Sequence, residues 1–108
     1  MDRPTTGAKA TERFEDLGEE LAGMGVSMSK MFGMPCLKAK KSSFAGLWGD
    51  AMVFKLTGEA HAAALRLKGA GPFDPMGGRP MKEWIVVPFA HAKRWREFAE
   101  AALNYVAP

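Results

Sequence analysis

The stretch "FAGLWGDAMVFKL", residues 44–56, constrains the fold of this chain more than any other. Two runs of alternating, β-prone side chains flank a Gly-Asp pair, the signature of a tight hairpin turn. Phe44, Gly46 and Trp48 fall on one side of the first run, and Met52, Phe54 and Leu56 line one side of the second. A lone hairpin is marginal in water, so more strands and a covering layer are required.

The flanking sequence supplies both. Upstream, "VSMSKMF" and "CLKAK" are short β runs bounded by turn signals at Gly33–Pro35 and Lys41–Ser43. Downstream, "MKEWIVV" gives the strongest strand signal in the chain. Helical periodicity appears in three places. Phe14, Leu17, Leu21 and Met24 recur at helical spacing behind Thr11 as N-cap, with Gly23 and Gly25 able to stop the helix. Thr57 caps a second helix over roughly Glu59 to Lys68, ended by "GAGP". Trp95, Phe98, Ala99, Ala102, Leu103 and Val106 form the apolar stripe of a third. The order α-β-β-β(-β)-α-β-α predicts an α+β fold, a small antiparallel β-sheet with helices packed against it. Residues 1–10 read as a flexible arm and residues 11–107 as a single domain.

Composition narrows the function. No apolar run approaches the ~20 residues that cross a bilayer. The N-terminus has no apolar core of a signal peptide, so no membrane role is expected. Cys36 is the single cysteine, which excludes an internal disulfide and a multi-cysteine metal site and predicts a cytoplasmic location. The net charge of +3 is unevenly laid out: residues 1–25 hold six acids to three bases, and residues 26–108 hold twelve bases to six acids. A basic body of this kind meets either an acidic partner or nucleic acid.

Candidate chemistry is sparse. "PMGGRP", residues 75–80, opens a strand and lacks the Lys-Ser/Thr pair and helix of a phosphate loop, so it reads as a hairpin tip. Cys36 has no motif-placed base and reads as a packed thiol. Met28 and Met31 face opposite sides of a strand, which scatters rather than converges soft ligands. His61 and His91 lack metal-ligand spacing and read as surface helix residues. No catalytic, cofactor-binding or metal residue is assigned, and no cofactor is expected. The basic set remains. Lys30, Lys38 and Lys40 share strand parity, and Arg79 and Lys82 sit at or beside the hairpin tip. Lys38, Lys40, Arg79 and Lys82 are therefore the expected contacts to a protein partner or to nucleic acid. The aromatics fit the core pattern, and no helix-turn-helix or zinc-finger spacing occurs.

"KMFGMPCLK", the hairpin "FAGLWGDAMVFKL", "GPFDPMGGRPMKEWIVVP" and the closing "ALNYVA" together resemble the N-terminal domain of TfoX/Sxy-type proteins, a family of competence regulators and small stand-alone members. The resemblance runs from about Thr11 to Ala107. It implies a small antiparallel sheet with helices against it, and it carries over no catalytic residues. The second domain of the full-length regulators has no counterpart after Pro108, so a competence role is not expected. The implied function is a non-enzymatic regulatory or protein-interaction domain. The alternative is a nucleic-acid-binding protein, as a neighbouring group of similar small domains is labelled, and an enzyme is a remote third. A dimer is compatible with the pattern.

Overall fold

The computed structural model describes residues 5–31 and 33–108. It is an α+β fold: α1 (Ala8–Leu21), β1 (Ser27–Met31), β2 (Met34–Ala39), β3 (Ser42–Trp48), β4 (Ala51–Lys55), α2 (Gly58–Leu65), β5 (Gly71–Phe73), β6 (Met81–Pro88) and α3 (Trp95–Val106). Short 3₁₀ turns, Ala22–Met24 and Phe89–Arg94, follow α1 and precede α3. The six strands form one sheet in the order β1-β2-β3-β4-β6-β5, with every neighbouring pair antiparallel. Among the described residues, no helix is long and apolar enough to cross a membrane.

All three helices bury their apolar stripes in one core. Phe14, Leu17 and Leu21 of α1, Ala64 of α2, and Trp95, Phe98, Ala99, Ala102 and Leu103 of α3 meet Leu37, Ala39, Met52, Phe54, Ile85 and Val87 of the sheet. Of the expected α3 stripe, Trp95, Phe98, Ala99, Ala102 and Leu103 are buried, and Val106 is half-buried against the same core. Trp95 also donates its indole N–H to the Val87 carbonyl at 3.2 Å, so the largest ring in the core keeps its polar atom satisfied. Asp16 and Glu19 face solvent, as the amphipathic pattern of α1 requires.

Several expectations need correction. Helix α1 starts at Ala8, with Gly7 rather than Thr11 as N-cap. The Thr11 hydroxyl donates to the Gly7 carbonyl at 3.1 Å from inside the first turn. The Gly7 amide donates to the Asp50 carboxylate at 2.7 Å, a contact between residues 43 positions apart. The helix therefore takes in the end of the expected arm, whose residues 1–4 lie outside the described residues, as does Phe32. Helix α2 spans Gly58–Leu65, shorter at its C-terminal end than expected. Strand β5 was unforeseen: it is three residues long and owes its existence to pairing with β6.

The facing of β3 differs most. Leu37 pairs with Ala45 and Lys38 with Ser43, so Phe44 is an extra residue, a β-bulge. The bulge shifts the side-chain alternation by one. Phe44 enters the core under the helices, while Trp48 packs on the other side of the sheet. They do not share a face.

Candidate partner-binding face

The helix-free side of the sheet carries a second apolar cluster, built from strands alone: Met34, Val53, Phe73 and Trp84, with Met31, Trp48, Met81 and Val86 packed against them. Among the described residues no helix contributes to it. Strand alternation places it. Phe54 and Ile85 pair under the helices, so Val53 with Val86, one residue along, must point the opposite way. The cluster is drawn together from both ends of the sheet. The rings of Trp48 and Phe73 meet edge to face at 5.1 Å between centroids, although β4 and β6 lie between their strands. Met34 leans over Gly46: a Cβ there would stand 2.6 Å from the Met34 Cε, so a larger residue would push the methionine end aside. Cys36 belongs to this face by alternation with Met34. It is fully buried, with its sulfur 3.5 Å from the Ser43 hydroxyl, as expected of a packed thiol.

The opening of β6 shows why "PMGGRP" is a turn. Gly77 and Gly78 have φ of 71° and 108°, angles that side-chain-bearing residues avoid. The loop is organised by Asp74, whose role sequence reasoning missed. Its carboxylate accepts the amides of Gly78 at 2.9 Å and Arg79 at 3.3 Å, and its carbonyl accepts the Gly77 amide at 3.4 Å. The amides that could cradle a phosphate are already held by an internal anion. An aspartate three residues before a Gly-Gly pair was the available signal, since aspartate side chains close turns onto amides a few residues ahead.

The four expected contact residues stand as follows. The sheet's strand directions bring the β2–β3 turn, the C-terminal end of β4 and the N-terminal end of β6 to one end of the sheet. Lys38 is half-buried on the helix-free face, paired with Ser27 and Ser43. Lys40 is not a strand residue. With Lys41 it forms the two-residue β2–β3 turn, at φ of 50° and 70°, which matches the hairpin turn that favours Asn-Gly. Arg79 and Lys82 flank the start of β6, both exposed. Lys30 departs from the expected parity: it pairs with Pro35, three positions along β1 from Ser27, so it points away from Lys38. The end of the sheet thus gathers Lys38, Lys40, Lys41, Arg79 and Lys82, with Lys41 the member not foreseen.

None of these five side chains has a carboxylate partner among the described residues. The ion pairs sit in the helical layer: Arg13 with Glu20 at 3.0 Å, Arg94 with Glu97 at 2.9 Å, and Arg96 with Glu20 at 3.2 Å and Glu100 at 2.7 Å. Hydrogen bonding holds the Glu97 carboxyl below the ordinary carboxylate range and the Arg94 guanidinium above its own. From Leu21 to Gly49 the sequence has Lys30, Lys38, Lys40 and Lys41 and no carboxylate at all.

The remaining reactive groups have structural duties. The His61 imidazole donates from Nε2 to the Lys82 carbonyl at 2.8 Å, and that of His91 to the Lys68 carbonyl at 2.9 Å. Both rings are half-buried braces between elements, not free surface side chains. Met28 lies against Gly18 of α1 while Met31 joins the opposite cluster, so the two thioethers are kept apart by the sheet. An open cavity of about 510 Å³ between α1 and the sheet is lined by Phe14, Met28, Pro35 and Leu47 with threonines, and among the described residues Glu15 is its one titratable side chain.

Comparison with protein-family models, with curated proteins and with solved structures gives no match to this chain.

Proposed function

We propose that this chain is a non-enzymatic regulatory domain that acts by binding another protein through the helix-free face of its sheet. The observation that carries the reading is the one-sided cover of a six-stranded sheet. Its second face is apolar, methionine-rich and aromatic, while all three helices pack on the first. Apolar surface of this kind marks interaction sites, and methionine adapts to varied partners. The engagement of His61, His91 and Cys36 in structural contacts supports a role without catalysis. So does the resemblance of "KMFGMPCLK" and "GPFDPMGGRPMKEWIVVP" to TfoX/Sxy N-terminal domains, a family assignment that belongs to this proposal. A cytoplasmic location is part of it too, supported by the single cysteine.

The test is quantitative affinity capture from native lysate with wild type, Trp48→Ala, Met81→Ala and Arg96→Ala, each checked for folding by circular dichroism. Proteins retained by wild type and Arg96→Ala but lost by Trp48→Ala and Met81→Ala are the expected outcome. Equal retention by all four overturns the reading. The unpaired cations at the sheet end favour nucleic acid as the second reading. In that case binding to random DNA or RNA falls steeply with salt, because phosphate contacts release counterions.

A further inference from the structure

We infer that the partner of the helix-free face is an acidic protein segment, one whose apolar anchors seat on the Met31–Trp48–Met81–Val86 surface while its carboxylates meet the cations at the sheet end. The inference rests on the proposed interaction face and adds the chemistry of its occupant.

Charge complementarity is the argument. Five cations, Lys38, Lys40, Lys41, Arg79 and Lys82, gather where the apolar cluster ends, and none has a carboxylate partner among the described residues. The carboxylates at the same end are engaged or turned elsewhere. Asp74 holds its own loop amides, Glu83 accepts the Tyr105 hydroxyl, and Glu59 stands in the first turn of α2 in the helical layer. The Lys40–Lys41 turn holds no acidic residue, and the one carboxylate of the loop that presents Arg79, that of Asp74, is held by the amides of Gly78 and Arg79. Leaving like charges together without counter-ions raises the local potential, which steers an oppositely charged partner and excludes a basic one. A second copy meeting this end head-on sets lysines against lysines.

The apolar part selects protein over nucleic acid. Bases stack on exposed ring faces. Here Phe73 is 2% exposed and Trp84 8% exposed, which leaves Trp48 as the one half-exposed ring of the cluster. The accessible remainder is thioether and aliphatic: Met31, Met81 and Val86, beside Met76 at the loop tip, which is 73% exposed. Such a surface accommodates aliphatic and aromatic side chains of a peptide rather than flat bases.

The experiment uses the full chain and fluorescently labelled peptides of about 16 residues, a length that spans a groove-binding segment. Apolar anchors are set either at helical or at alternating spacing, and the intervening polar positions are all Glu, all Gln or all Lys. Single-stranded oligothymidine and duplex DNA are run alongside. The expected result is binding of a Glu peptide at least about tenfold tighter than its Gln counterpart, weakening as salt rises, with no binding of the Lys series. Lys38→Glu with Lys82→Glu abolishes that preference. Arg66→Glu with Lys93→Glu changes net charge equally at exposed sites off this end and keeps it. Gln peptides binding as well as Glu peptides, and losing affinity in Trp48→Ala, overturn the acidic occupant but leave the interaction face standing. Nucleic acid binding more tightly than every peptide overturns both. Failure of all peptides with folded protein overturns the inference, and the capture experiment then judges the face alone.

Discussion

The two faces of this sheet use the same residue types to different ends. Under the helices, Phe44, Phe54, Trp95 and Phe98 are closed off by other elements, and Arg94 and Arg96 above them are paired with Glu97 and Glu100. On the opposite face, Trp48, Phe73 and Trp84 shield one another by leaning across the strands, and the charges beside them stand alone. The first arrangement stabilises the fold. The second leaves apolar area and positive potential facing outward, where neither contributes much to stability and both are available to a partner. A truncation in each face separates the two roles.

The largest expected effect lies in the helix-covered core. Phe98 is 1% exposed and sits 6.0 Å, centroid to centroid, from Phe54. Phe98→Ala is expected to cost ~3–5 kcal/mol, since the cavity cannot collapse between a helix and a sheet. Trp48→Ala, at a half-exposed ring, should cost about 1–3 kcal/mol because part of its area is already in water. Urea unfolding of the two variants measures the difference. Equal losses break the comparison, because they make the helix-free face a second structural core.

The β2–β3 turn gives the next effect, with the opposite sign. Lys40 and Lys41 both hold left-handed backbone, at φ of 50° and 70°, a conformation that costs side-chain-bearing residues roughly 1–2 kcal/mol each. Replacing them with the Asn-Gly pair that this turn favours, Lys40→Asn with Lys41→Gly, should raise stability by about 1 kcal/mol. The same change removes two cations and should weaken an acidic partner. A variant both more stable and weaker in binding ties the strained turn to recognition rather than to folding. A loss of stability shows that the lysines do structural service.

How much of this was legible in the sequence follows from how local each signal is. The stripe of α3 was fully legible, because helical periodicity is read within a dozen consecutive residues and burial follows it. The facing of Trp48 was not, because the bulge at Phe44 exists only through the pairing of β3 with β2. The same holds for β5, three residues with no alternation to read, and for the start of α1, where Gly7 is tied by distant Asp50. At the candidate site, Arg79 and Lys82 were legible as neighbours of a glycine turn. Their convergence with Lys38 and Lys40 was not, because it depends on strand order. Lys40 was misread as a strand residue since nothing in "KAKK" announces a turn without glycine or asparagine.

The smallest effect falls on the seam between the two faces, where α3 ends against β6. The Tyr105 hydroxyl donates to the Glu83 carboxylate at 2.5 Å, and the Lys55 ammonium lies 5.7 Å from the centre of the same ring. Tyr105 therefore ionises above its ordinary range: the hydrogen bond to Glu83 favours the neutral phenol, and losing the proton sets two anions side by side. The linkage has a definite sign. A folded-state value above the unfolded one contributes stability that is complete below the ordinary phenol range, near 10, and that is lost as pH rises through the folded value. Because the ring is open to solvent, the contribution to stability is slight and is best read as a titration. Ultraviolet difference spectra of the single tyrosine should place its midpoint above that of a free phenol. Glu83→Gln should bring it back down by removing the neighbouring charge, and Lys55→Ala should raise it further by removing a nearby cation. An unshifted midpoint in wild type means that Glu83 is not held by Tyr105. Its carboxylate then stands free at the sheet end, where it competes for the lysines, and the charge contrast between the two faces is weaker than the geometry implies.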